Sequence, residues 1–489
     1  MKSISDIIIV GAGIIGCALA DELSRYEVSV TVLEKGPDVA SGATKANSGI
    51  VHAGYDAVPG TNKAKFNVAG AAAFPKLCRR LNVPYRRCGA LVVGFGDADS
   101  QILRDLYCRG LENGVPGLKL LDAGETLKLE PRLNSELIGA LYVPSSGIVS
   151  PYELAFALSD EAALNGVNFY FDCSVRKINK QDEFYIINTN RQDFCCRLLI
   201  NCAGASSGDL HNQISDLKLK IIHRKGEYYL LDRNENSPFS HTIFQCPSAM
   251  GKGVLISPTV HGNTLIGPSA EDIADPDDTS TTQSGLSFVL NKARLSWPGL
   301  SVRDNITNFS GIRAHEAGND FLIGKVSGCA MALEAAGIES PGLSSAPAVA
   351  EYLSAEAALM LGLQRKNQFR SLPPRLKPFS EMTDSEKEAA VSDNPKYGNI
   401  ICRCETVTEA EIIEAIHRPI PAKTVDAVKR RTRAGMGRCQ GGFCLPRVAE
   451  IISEETGIPL AEVTKNGGSS NLLTGLIDDI RKSGRRNTK

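Results

Sequence analysis

The unbroken apolar run Ile7-Ile8-Ile9-Val10 leads into Gly11-Ala12-Gly13-Ile14-Ile15-Gly16, after which the apolar spacing changes from that of a buried strand to that of a helix. The pattern predicts a strand over residues 5–10, a helix from Ile14 to Tyr26, and a second strand from Val28 to Leu33 that ends at Glu34. Farther along, Cys196 to Ile200 reads as another buried strand, running into Asn201-Cys202-Ala203-Gly204. Between these segments, Ala90 to Phe95 and Tyr228 to Leu231 alternate in the way that suits an antiparallel sheet, which places a second domain interleaved with the first. Residues 365–398 hold Pro373, Pro374, Pro378 and Pro395 among many charges, the composition of a linker or wrapping segment. A new unit starts near Asn399, with a helix expected from Thr408 to His417, capped by Thr406 or Thr408 and carrying Glu409 and Glu411 in its first turn.

The fold class expected is therefore α/β (α+β). A Rossmann-like domain interleaved with an antiparallel-sheet domain fills residues 1–365, a linker 366–398, a small helical domain 399–455 and a C-terminal tail 456–489. Composition narrows the reading. With 43% hydrophobic residues in a chain of 489, a full core is available. The near balance of 54 basic and 55 acidic side chains argues against a nucleic-acid or anionic-membrane binder. The basic stretch Arg481 to Arg486 reads as a solvated terminus. The stretch from Ile7 to Ala20, broken by three glycines, falls short of the roughly 18 residues of a membrane span, so no transmembrane segment is expected. Ten cysteines outside the last four are scattered and include the adjacent Cys195 and Cys196, which is no disulfide framework. A cytoplasmic location follows, peripheral to the inner face of the membrane at most through a partner.

Two motifs carry chemistry. Strand, glycine turn, helix, strand and terminal acid form the first half of a dinucleotide-binding fold: the glycines let backbone approach a pyrophosphate, the helix N-terminus supplies N–H groups, and Glu34 suits a ribose diol. At the other end stand Cys402-x-Cys404 and Cys439-x4-Cys444, whose thiolates suit an iron-sulfur centre; structural zinc also takes four thiolates but usually draws on C-x2-C knuckles, and both stay open on spacing alone. A chain with both motifs reads as a redox enzyme that exports electrons.

The runs Asn47-Ser48-Gly49-Ile50-Val51-His52-Ala53-Gly54 and Asn201-Cys202-Ala203-Gly204-Ala205 resemble the D-amino-acid-oxidase-like superfamily of FAD enzymes. The resemblance continues through Lys225-Gly226-Glu227-Tyr228-Tyr229, Gly311-Ile312-Arg313 and Ala336-Gly337-Ile338-Glu339-Ser340-Pro341-Gly342, about residues 3 to 360. Within the superfamily it is similar to flavin subunits of bacterial anaerobic-type glycerol-3-phosphate dehydrogenases and to L-2-hydroxyglutarate dehydrogenases. The segments Ile401-Cys402-Arg403-Cys404-Glu405 and Arg433 to Cys444 resemble a [2Fe-2S] domain of the bacterioferritin-associated-ferredoxin type, in the spacing found in flavoprotein fusions.

The resemblance implies FAD contacts at Gly11, Gly13, Ile15, Gly16, Glu34, Lys35, Ser41, Ser48, Gly49, Val175, Ala203, Gly204, Gly337, Ile338, Gly342 and Leu343, and cluster ligation by Cys402, Cys404, Cys439 and Cys444. It implies His52 as base for a substrate hydroxyl and Arg313 as anion clamp. A satisfied core histidine or a covalent flavin link competes for His52, and a structural salt bridge for Arg313. Lys63 and Lys65 are further anion candidates that a solvated helix start explains equally well, and His261 reads as a hairpin turn. The fused cluster module favours glycerol 3-phosphate over a 2-hydroxy acid as the small anionic substrate, with an electron-accepting subunit or quinone-linked carrier as partner. A non-catalytic relay subunit is the competing class.

Overall fold

The computed structural model describes residues 3–181, 183–233, 238–247, 253–374 and 377–475. Residues 481–486, expected as a solvated basic terminus, lie outside them, as does the rest of the tail beyond 475. The chain divides into two compact units at residues 372 and 373, the short segment Gly36–Asp38 grouping with the second.

The first unit is built on two large sheets and a small three-stranded one. In one, strand Ser3–Val10 lies at the centre, parallel to Val30–Leu33 on one side and to Asp193–Asn201 on the other. Ile7, Ile8 and Ile9 are fully buried, as a strand covered on both faces requires. Helix Ile14–Leu23 follows the glycine loop and ends three residues before the expected Tyr26, because the Ser24 N–H closes on the Ala20 carbonyl and Tyr26 leaves to bridge Arg365. The second sheet, nine-stranded, carries Ile221–Leu231 and Asn305–Glu316 paired antiparallel along nearly their whole length. It is mixed rather than purely antiparallel, since Ala90–Gly94 pairs antiparallel with Gly139–Val143 but parallel with Thr242–Gln245. His261 sits in the turn between strands Leu255–Pro258 and Thr264–Gly267, its Nε2 2.7 Å from Glu153. Of the ten scattered cysteines, six are buried and serve as small apolar residues. Among the described residues no helix is long and apolar enough to cross a membrane.

In the second unit, residues 384–393 form a helix opened by a reciprocal Thr383–Glu386 capping box, so the proline-rich stretch carries structure of its own. A short hairpin, Ile400–Cys402 with Val407–Thr408, precedes three helices: Glu409–Ile416, capped by Thr408 with Glu411, then Val425–Thr432 and Leu445–Thr456. Ile412, Val428, Ile451 and Ile452 form their common core.

Candidate functional site

The nucleotide cradle is a backbone device. Gly11 holds φ at +103°, and a Cβ there would meet the Cys202 carbonyl at 2.4 Å, so only glycine lets the two loops touch. A Cβ on Gly16 would strike the Gly11 carbonyl, which fixes the start of the helix against the turn. By contrast, a Cβ on Gly13 would meet nothing nearer than Thr44 Oγ1 at 3.4 Å, and at Gly42 or Gly204 nothing within 4 Å. These three open positions leave space for an elongated ligand laid against bare backbone. Glu34 is buried at the strand end, its Oε2 accepting the Ala12 N–H at 2.7 Å. Ser41 follows Ala40, whose N–H closes on the Ala12 carbonyl, and Val175 lies just beyond Cys173, whose N–H bonds the Glu34 carbonyl. Ile15 is buried in the helix. Ala203 and Gly204 open the short helical turn after strand Asp193–Asn201. Lys35 instead points into an exposed ion pair with Asp277 at 3.1 Å.

A second helix N-terminus belongs to Gly342–Leu361, with Gly342 and Leu343 in its first turn and Gly337, at φ +66°, and Ile338 just ahead. This loop is pinned by Glu339, which ion-pairs Lys63 at 2.8 Å and His315 at 2.9 Å. Burial opposes ionisation of Glu339, but Lys63 and His315 together hold its carboxyl below the usual range. Lys63 is therefore occupied inside the protein, while Lys65 lies over the rings of Phe66 and Tyr352.

His52 is 4% exposed. Its backbone N–H donates to Ser344 Oγ at 2.7 Å, tying it to the same helix start. Its ring stacks on Tyr55 at 4.5 Å and meets the edge of Phe244, and Nδ1 stands 3.4 Å from Asp56. Asn67, in the amide orientation that satisfies it, donates to the His52 carbonyl at 2.7 Å and accepts the Gly54 N–H at 2.9 Å.

Arg313 projects from strand Asn305–Glu316. One terminal nitrogen donates to the Ser269 carbonyl at 2.8 Å, while Nε is buried with no hydrogen-bond partner in the structure. Beside it stands Tyr228, whose hydroxyl lies 3.5 Å from Ser48 Oγ. Burial raises the Tyr228 phenol against the opposing pull of Arg313 and Ser48, so it remains a neutral donor. Ser48 and Gly49 reach this place because a bare Gly311 lets the Ala46 carbonyl rest on the strand; a Cβ there would overlap it. Sequence reasoning missed Thr44, whose hydroxyl accepts the Ile14 N–H at 2.9 Å, and Asp56 and Asn67 around His52. The four-residue spacing from His52 to Asp56 was the one available signal.

In the second unit the thiols gather as two pairs. Cys402 is drawn down to about 6, chiefly by the neighbouring Cys444 thiol, then by the N–H groups of Gly435 and Glu405 against the cost of burial. Cys444 shifts upward in return, through Cys402 first and burial second. Burial opposes ionisation of Cys439, but the Cys404 thiol and the N–H groups of Gly441, Phe443 and Gly442 prevail and lower it. Thiols that attract backbone N–H donors are what a thiolate-ligated cluster needs. Gly437 permits the arrangement, since a Cβ there would meet Cys404 Cβ at 2.4 Å.

Residues 6–356 match the FAD dependent oxidoreductase family. The chain belongs to that family. Residues 400–454 match the BFD-like [2Fe-2S] binding domain, so this oxidoreductase carries FAD and a [2Fe-2S] cluster. It is 46% identical over 471 residues to the glycerol 3-phosphate dehydrogenase of Caloramator mitchellensis, covering 96% of this chain and 98% of that one. It is 32% identical to the glycerol 3-phosphate oxidase of Mycoplasma pneumoniae, over 70% of this chain and 92% of the relative. The dithionite-reduced L-alpha-glycerophosphate oxidase of that organism, solved with FAD bound, superposes with a TM-score of 0.72 at 30% identity, over 76% of this chain and all of the other.

Proposed function

We propose that this oxidoreductase converts sn-glycerol 3-phosphate to dihydroxyacetone phosphate and exports the electrons through its cluster to a protein partner, working in the cytoplasm or at the inner membrane face. The observation that carries the reading is the half-buried Arg313, whose enclosed Nε has no hydrogen-bond partner, with a neutral Tyr228 phenol beside it. A guanidinium so placed has desolvation to recover, and a phosphate recovers it through paired N–H contacts. Bound FAD supplies a two-electron acceptor and the cluster a one-electron carrier. His52, fixed by Ser344, Tyr55 and Asn67, accepts the proton of the C2 hydroxyl as the C2 hydrogen departs with its electron pair. The supporting helix N-termini at Gly13 and Gly342 suit the anionic portions of the flavin nucleotide. A mere relay would need neither base nor clamp.

Anaerobic mixing tests this. Glycerol 3-phosphate should bleach the flavin rapidly, and L-2-hydroxyglutarate slowly or not at all. Arg313→Ala should cost on the order of 2 to 5 kcal/mol in kcat/KM, and Arg313→Lys should also fail, because an ammonium lacks the planar fork. His52→Ala should lower the bleaching rate by about 100-fold or more with little change in binding. Bleaching by L-2-hydroxyglutarate alone overturns the substrate assignment.

A further inference from the structure

Among the described residues seven that are not glycine hold a positive φ, and three of them fall in the thiol-bearing loops 402–406 and 433–444: Thr406 at +53°, Arg433 at +71° and Gln440 at +49°. L side chains enter that region at a cost, so loops that gather such residues are held by something stronger than local preference. Arg433 directly follows helix Val425–Thr432, at the position where a glycine ordinarily ends the turn, and its N–H donates to the Lys429 carbonyl at 2.8 Å. What an arginine adds there is its side chain. Nε donates to Glu405 Oε2 at 2.7 Å, and the two side chains are only 15% and 3% exposed. The other Glu405 oxygen borders Gly437, where a Cβ would meet it at 3.2 Å. The ion pair therefore ties the loop of Cys402 and Cys404 to the loop that leads to Cys439. Both sides of the tie reach one sulfur: the backbone N–H of Glu405 and that of Gly435, the latter at 3.5 Å, donate to Cys402 Sγ.

We propose that Glu405 and Arg433 are positioning residues of the cluster: the pair clasps its two ligand loops, aims two N–H groups at Cys402 and, through its own two charges, tunes the potential at which the cluster takes an electron. Reduction adds one negative charge to the centre, with no bond made or broken. N–H groups directed at a ligand sulfur favour the reduced form, as does a nearby guanidinium, and a nearby carboxylate opposes it. In an enclosed site, poorly screened by water, a unit charge is felt more strongly than at the surface. Glu405 and Arg433 thus act on the cluster in opposite senses and nearly cancel. Removing one charge must move the potential one way, and removing the other must move it back past the parent value. A pair that only braces the fold has no reason to do this. The inference rests on the four thiols being the cluster's ligands and adds the groups that hold and tune them.

The test is a redox titration of the full-length holoenzyme, followed through the reduced-cluster resonance. Glu405→Gln keeps an oxygen that accepts from Arg433 and removes only the charge. It should favour the reduced cluster roughly tenfold, an upward shift of about 59 mV for one electron. Arg433→Gln leaves the carboxylate uncompensated and should shift the ratio at least as far downward. Arg433→Lys keeps the charge without the planar fork and should stay within about threefold of the parent. Where Arg433→Gln fails to retain iron, because an unpaired buried charge opposes folding, the direction of Glu405→Gln decides alone. A potential unmoved or lowered in Glu405→Gln, raised in Arg433→Gln, or displaced as far by Lys as by Gln overturns the assignment. So do variants that lose thermal stability while keeping the parent potential, since the pair is then a brace and nothing more. A parent protein lacking the resonance overturns instead the cluster ligation on which the inference rests.

Discussion

In the first unit the cradle proposed for the nucleotide draws on positions as distant as Gly11 and Leu343, and most of what they offer is backbone: glycines that clear space, and the first turns of two helices. The second unit concentrates its site between Cys402 and Cys444 and offers side chains, four thiols supported by N–H groups of the same loops. The difference teaches where each site is fragile. A backbone cradle fails when atoms are added, and a thiol set fails when atoms are exchanged.

The sharpest way to break this contrast is to change one atom in the second unit. Cys439→Ser should abolish the reduced-cluster resonance while leaving about one FAD per chain and its bleaching by substrate intact; loss of FAD in the same variant would end the idea of separable sites. In the first unit, Gly13→Val should remove FAD yet leave the apoprotein's Tm within about 2 °C of the parent, because the protein alone has room at that position. Gly11→Ala should lower the apoprotein's Tm as well, since φ is +103° and the Cys202 carbonyl is in the way. Equal Tm values for the two variants would show that the cradle is not rigid.

A smaller effect is expected from Glu339→Gln, which releases Lys63 and His315 from the loop bearing Gly337 and Ile338. It should cost about 3 to 5 kcal/mol at pH 7, the scale of a buried pair losing one member. The Glu339 carboxyl is held below its ordinary value of 4.5. Its contribution is therefore complete above that pH and fades as pH falls through the lower folded value. Denaturant midpoints for parent and variant should converge in acid; convergence at high pH would contradict the assignment. Smallest of all, Asp56→Asn should reduce the bleaching rate about tenfold with binding unchanged, as expected of a group that orients or polarises a base rather than replacing it. A change in KM alone would make Asp56 structural.

The strand, turn and helix around Gly11 to Gly16 were legible because close packing leaves a periodic trace, and the four thiols of the proposed cluster site because their spacing is local. The ladder that brings Arg313 opposite Arg224 was not, since pairing between residues so far apart leaves no mark on either segment. Arg313 was singled out through its motif, but its unpartnered Nε and its neighbour Tyr228 needed the fold. Thr44 and Asn67 escaped because a single hydroxyl or amide in a loop carries no period. Residues 365–398 were read as a linker on proline content; the prolines flank the capped helix 384–393 without entering it.

The order of the two sites along the chain sets a timetable for synthesis. The cradle needs residues through Leu343, and the last thiol is Cys444, so at about 5 to 20 residues per second the flavin pocket is spelled out roughly 5 to 20 s before the fourth ligand exists. A nascent chain in that interval already has the groups proposed to accept a pair of electrons and lacks the cluster that would take them onward one at a time.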